Sequence, residues 1–150
     1  MDDKVGYIDA TDGALGRISS TAAKRLLAGE TIVIVNAQNA VVTGSRAQIM
    51  AKYRERRVRG SVRRGPFFPR MPHRLLKRAV RGMLPYHKPR GRSAYERLTV
   101  HIGVPSDLKG QQFEHIPVYR SRARFMLLGE VSKELGATFI TERPNSGKQA

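Results

Sequence analysis

Arg74, Lys77, Arg78 and Arg81 are spaced so that, at about 100° per residue, they share a narrow arc of one helical wheel. Leu75, Leu76, Ala79, Val80, Met83 and Leu84 fall on the other half. The chemistry such a face can do is anion binding. A guanidinium offers a planar fork of donors that matches phosphate oxygens, and most of these cations are Arg. His87, Lys88, Arg90 and Arg92 follow in a stretch punctuated by Pro85 and Pro89. Lys52, Arg56, Arg57, Arg59, Arg63, Arg64 and Arg70 precede it. Of the 28 Lys and Arg residues, 16 lie between Lys52 and Arg97, with only Glu55 and Glu96 among the 12 acids, so this block holds 16 − 2 = +14 of the net +16. A need for solubility would spread the charge. A localised excess is the footprint of a polyanionic partner.

Aromatic residues are interleaved with the cations, as a surface meeting unpaired bases requires. Phe67, Phe68 and Tyr86 are the candidate base-stacking residues, though Phe67 and Phe68 also suit a core. Tyr53 shares a helical face with Ile49 and Met50 and reads as core; Tyr95 is a further ring in the block. A merely solvated face would carry compensating acids. A membrane surface fits less well than nucleic acid, and no apolar run approaches a membrane span.

Other chemistry is poorly supported. The stretch "DGALGR", 12–17, hints at a phosphate-binding turn but lacks the full dinucleotide pattern and the Lys-Ser/Thr of a P-loop. His73, His87, His101 and His115 have no metal-ligand spacing. Asp9 and Asp12 read as capping residues, not as an acid–base pair. The absence of cysteine excludes disulfides and thiolate sites and fits a reducing compartment. The expectation is therefore no catalysis, no metal, no cofactor and no small-molecule substrate. The alternatives are a DNA-binding chromatin or regulatory protein, which predicts a major-groove helix, and a small nucleotide-dependent enzyme.

These cations must be held by a scaffold. "VGYIDA", 5–10, reads as a strand. Leu15, Ile18, Ala22 and Leu26 mark a helix over 14–28, with Asp12 as its cap and Gly29 as its stop. "TIVIVN", 31–36, has the continuous apolar character of a strand buried on both faces. Together they form a βαβ unit. "NAVVTG", 39–44, is a further extended piece, and Ser45 with Gln48 begins a helix. Residues 60–72 form a loop, whose stretch "RRGPFFPR", 63–70, should order fully only in a partner's groove. A helix runs over 73–84 until Pro85 ends it, and Tyr86–Arg92 continues in extended form. "AYERL" is helical and "LTVHIG" a strand. Residues 104–123 form a loop, and "RFMLLG" reads either as a last strand or as the approach to a short helix "EVSKELG". The chain is one domain of 150 residues, with about 137–150 as a mobile tail. The acidic N-terminus lacks the apolar stretch of a secretory signal.

"GRISS", "VIVNAQNAVVTG" and above all "VRGMLPYHKPRGRSAYERLTVHIGVP" resemble the large-subunit ribosomal protein family conventionally numbered thirteen. The resemblance runs from about Tyr7 to Gly136, and "RRGPFFPRMPHRLLKRAVRGMLP" is similar to its archaeal and eukaryotic branch. The short C-terminus favours an archaeal source. The resemblance implies an α/β fold in three α/β/α layers, with a small, mostly parallel sheet and a basic loop-plus-helix excursion. It implies a structural constituent of the large ribosomal subunit, cytoplasmic, whose partners are large-subunit rRNA and neighbouring ribosomal proteins, active early in assembly. Arg81, Lys88, Arg90 and Arg92 are then RNA-facing, while Met83 and Leu84 pack.

Overall fold

The computed structural model describes residues 4–65, 67–116 and 123–140. Strand β1 (Val5–Asp9), helix α1 (Leu15–Leu27) and strand β2 (Thr31–Val35) form the expected parallel unit, with Ile8 opposite Ile34. Strand β4 (Leu98–Val100) adds in parallel to β2. Strand β5 (Glu114–His115) adds in parallel to β1, giving the order β4-β2-β1-β5. The expected loop after residue 103 thus contains an edge strand too short and polar to be recognised by periodicity. A separate antiparallel ribbon pairs β3 (Val41–Thr43) with β6 (Phe125–Leu127). Helices α2 (Arg46–Val58), α3 (Pro72–Met83), α4 (Pro89–Glu96) and α5 (Leu128–Glu134) complete an α/β fold of the layered type expected.

Ile8, Ile32, Ile34 and Leu98 of the sheet, Ile18, Ala22 and Leu26 of α1, and Leu75, Leu76 and Val80 of α3 meet in one core. Strand β2 is less enclosed than its composition implies: Ile32, Ile34 and Val35 are buried, but Thr31 and Val33 are only partly covered. Helix α1 ends in a Schellman arrangement. Gly29 takes φ +100°, Glu30 N–H donates to Arg25 O at 3.1 Å and Gly29 N–H to Leu26 O at 3.1 Å.

Three expectations are corrected. Asp12 does not cap α1. The N-cap is Ala14, with no side-chain bond, while Asp12 sits at φ +56° in the turn before it. Its neighbour Asp9 holds that turn, accepting from Thr11 N–H at 2.9 Å, Thr11 Oγ1 at 2.7 Å and Asn36 Nδ2 at 3.1 Å. Second, Pro89–Arg92 is not extended: it opens α4, because proline at the first helical position lacks only an N–H that would be unpaired there. Third, Met83 does not pack. It is 45% exposed, whereas Leu84, one residue on, is 7% exposed. At the start of the expected tail, Ala137 is buried and the centre of the Phe139 ring lies 5.7 Å from Lys133 Nζ. Residues 141–150 lie outside the described residues.

Candidate nucleic-acid interface

Helix α3 divides its surface as its sequence dictates. Pro72 sits in its first turn, and Leu75, Leu76 and Val80 are buried, largely against α1 and β4. Arg74 and Arg78 are exposed; Lys77 and Arg81 are half-buried. The last two lie on rings supplied by the following turn and by α4. Lys77 Nζ is 5.0 Å from the centre of the Tyr95 ring, and Arg81 Cζ is 4.0 Å from that of Tyr86. The two tyrosines meet edge to face at 5.4 Å. Burial raises the Tyr95 phenol pKa, against the opposing pull of Arg81.

Helix α2 faces α3 across an open cleft. Ser45 Oγ caps it by accepting from Gln48 N–H at 3.3 Å. Tyr53 is buried as expected, and burial also raises its pKa. Phe68 packs on Tyr53 with ring centres 6.2 Å apart, and Arg56 Cζ stands 5.6 Å from the Phe68 ring. Arg57 Nη1 donates to Phe68 O at 2.9 Å, pinning the loop onto α2. This end of the loop therefore packs within the protein itself. Phe67 alone of the pair is turned outward, 67% exposed.

The cleft has a volume of ≈ 570 Å³. Arg56 and Arg59 line one side, Arg74, Lys77, Arg78 and Arg81 the other, with Phe67 and Phe68 toward one end and Tyr95 also lining it. No carboxylate is among its lining residues. Six cations around one cleft, of which Arg59 pairs with Glu55 of its own helix at 2.6 Å, form a strongly positive site. Arg57 and Arg70 join Arg74 and Phe67 on an adjoining face. There burial first, and then Arg70, lower the Arg57 pKa. Lys52 lies on a trough that continues the cleft between α2 and α1. Arg63 and Arg64 stand exposed on the loop and line none of these recesses.

His87, Lys88, Arg90 and Arg92 are exposed around the start of α4, away from the cleft. Arg90 Nη2 donates to Leu27 O at 3.4 Å, at the C-terminal end of α1, and Arg92 Nη2 to His87 O at 3.2 Å. They form a second basic patch. Gly91 explains how α4 comes so close to the preceding turn: a Cβ there would stand 2.0 Å from Pro85 O.

Sequence reasoning did not foresee two features of the site. It did not foresee that Arg81 sits on the ring of Tyr86, the residue expected to stack on bases. It noted Tyr95 without assigning it to the site. The spacing of Tyr86 and Tyr95 signals their contact only once α4 is known to be a helix.

His73, on the same helix, has its pKa lowered by burial, then by Arg74, His101 and Lys77, so the imidazole is neutral near pH 7. Among the described residues no group of His, Asp and Glu could hold a metal ion, and no helix is long and apolar enough to cross a membrane.

Comparison of the sequence with known proteins identifies its relatives. The chain is 48% identical over 141 residues to the large ribosomal subunit protein uL13 of Archaeoglobus fulgidus, covering 91% of this chain and 90% of that one. It is 50% identical over 137 residues to uL13 of Methanosarcina barkeri, covering 88% and 98%. It is 48% identical over 131 residues to that of Natronomonas pharaonis, covering 87% and 90%. Residues 3–107 match the profile of the family described as ribosomal protein L13, and with both the profile and the relatives spanning most of its length, the chain belongs to that family.

Proposed function

We propose that this protein is a structural constituent of the large ribosomal subunit in the cytoplasm, where it binds and stabilises folded rRNA, early in subunit assembly, beside neighbouring ribosomal proteins. The observation that carries this reading is the cleft between α2 and α3, with six cations and no carboxylate in its lining. Family membership supplies the context.

The mechanism is electrostatic. Phosphates crowd as RNA helices pack; Arg and Lys neutralise them and release condensed counterions. The α/β core makes the platform rigid, so the cations are already placed before binding. Lys77 and Arg81 lose less freedom than free surface cations would, because tyrosine rings already hold them. Contacts of this kind read the shape of the backbone and not the base sequence. The second patch, Lys88, Arg90 and Arg92, gives the protein two separated handholds on RNA.

Sedimentation of a cell lysate through sucrose at moderate and high salt, with this chain followed by immunoblot, tests the reading. Travel with the large subunit at moderate salt supports it. Retention at the top of the gradient under both conditions refutes it.

A further inference from the structure

We propose that the trough between α1, α2 and α3 takes a single-stranded segment of RNA and not the outside of a duplex. The inference rests on the rRNA-binding reading and specifies the form of RNA taken at that same surface. The trough continues the cationic cleft, since Arg56, Arg59 and Arg78 border both, and it measures ≈ 570 Å³.

Three observations on the trough point to a ligand. Gly16 and Gly82 are helical residues that line it, and a Cβ on either would meet nothing within 4 Å. Neither has a positive φ. So neither backbone conformation nor internal packing requires glycine at these positions, although glycine weakens a helix relative to alanine. Ser19 lines the same trough, is 0% exposed, and its hydroxyl has no hydrogen-bond partner within the protein. Helix α1 also starts here with no acidic residue in its first turn and no side-chain cap, so the positive end of its dipole favours an anion.

Bare backbone at two glycines lets a flat group approach closely. Met83 and Leu15 give it an apolar floor, and Lys52 adds a cation at the edge toward α2. An unpaired strand can lay a base and ribose on that floor while its phosphates reach the cations. A duplex presents its phosphates on the outside of a rigid cylinder and cannot bring bases to Gly16 or Gly82. A basic peptide tail is disfavoured, because no carboxylate lines the trough.

Gly82→Leu fills the trough without removing a cation, and Ser19→Ala deletes a hydroxyl that makes no bond in the protein. Both variants should melt at the wild-type temperature or above. The full chain is titrated with an unstructured RNA of about twelve nucleotides and with a blunt RNA duplex of about sixteen base pairs. Gly82→Leu should weaken single-strand binding by about tenfold, the worth of losing one stacked base, and leave duplex binding unchanged. Ser19→Ala should weaken single-strand binding severalfold. Unchanged single-strand affinity in Gly82→Leu, or an equal loss for the duplex, overturns the proposal while wild-type RNA binding leaves the broader reading standing. If the wild type binds neither RNA, the broader reading falls as well. A photo-crosslinking residue at Met83 in the assembled subunit gives a second readout: an adduct with RNA supports the proposal, and an adduct solely with protein overturns it.

Discussion

The guanidinium of Arg81 lies 4.0 Å above the ring of Tyr86, five residues on and past the proline that ends α3. The chain turns back at Pro85 and delivers a ring to the helix it has just left. An interaction of this kind is worth about 0.5–1 kcal/mol when partly exposed. Its greater consequence is orientation, since it fixes a cation at the edge of the cleft.

Tyr86→Leu should therefore cost about 1 kcal/mol of stability and also weaken RNA binding, although no cation has been removed. Arg81→Glu should weaken RNA binding more and melt within a few degrees of wild type. Thermal denaturation beside RNA titration checks both. A larger melting loss for Arg81→Glu than for Leu76→Ala, which should cost about 2–5 kcal/mol, would show the two faces of α3 to be misassigned.

Met83→Asp should leave the fold intact, because the side chain is 45% exposed. Leu84→Asp should unfold it, because burying an unpaired carboxylate costs several kcal/mol. Urea denaturation of the two variants separates neighbours that a helical wheel treats alike.

Gly91→Ala places a methyl group 2.0 Å from a backbone oxygen that no rotamer change can move aside. Helix α4 must shift away from Pro85, at a cost of about 1–3 kcal/mol. Because α4 carries Tyr95, the shift should also disturb Lys77. Near-ultraviolet circular dichroism of the tyrosines and urea unfolding together would register both effects. A wild-type spectrum and midpoint would contradict the close approach.

His73 should make stability depend on pH below its ordinary value of 6.5. Its folded pKa is lowered, by burial first and then by Arg74, His101 and Lys77. The unfolded chain therefore takes up the proton first as pH falls. The stability is present above pH 6.5 and is lost as pH falls toward the folded pKa. His73→Gln should flatten this slope between pH 7 and pH 5 in thermal melts. An unchanged slope would assign it to other groups.

Salt should weaken RNA binding steeply. If the six cations of the cleft each neutralise one phosphate, affinity should fall by about a thousandfold between 50 and 200 mM salt. Replacing Arg56, Arg59 and Arg78 together by Gln should reduce the slope of log affinity against log salt by about two to three. A slope independent of these residues would place the phosphate contacts elsewhere.

The sequence by itself determined the α/β character, the βαβ start, the limits of α3 and the charge excess of Lys52–Arg97. Each of these is written in local order: apolar period, β-branched runs, proline positions and net charge. It did not determine where the block's parts meet. Pro89 reads as extended when taken with Pro85, and as a helix start only once the chain has turned back on α3. Strand β5 has two residues of no strand character; it forms because β1 offers an unpaired edge and Arg25 Nη1 holds Glu114 at 2.8 Å. The exposure of Met83 beside the buried Leu84, the seating of Arg81 on Tyr86, and the convergence of Gly16, Ser19 and Gly82 on one trough are each set by what separate elements bring together. Such contacts depend on how α1, α2, α3 and α4 pack, and packing is a property of the assembled core that no local window of sequence contains.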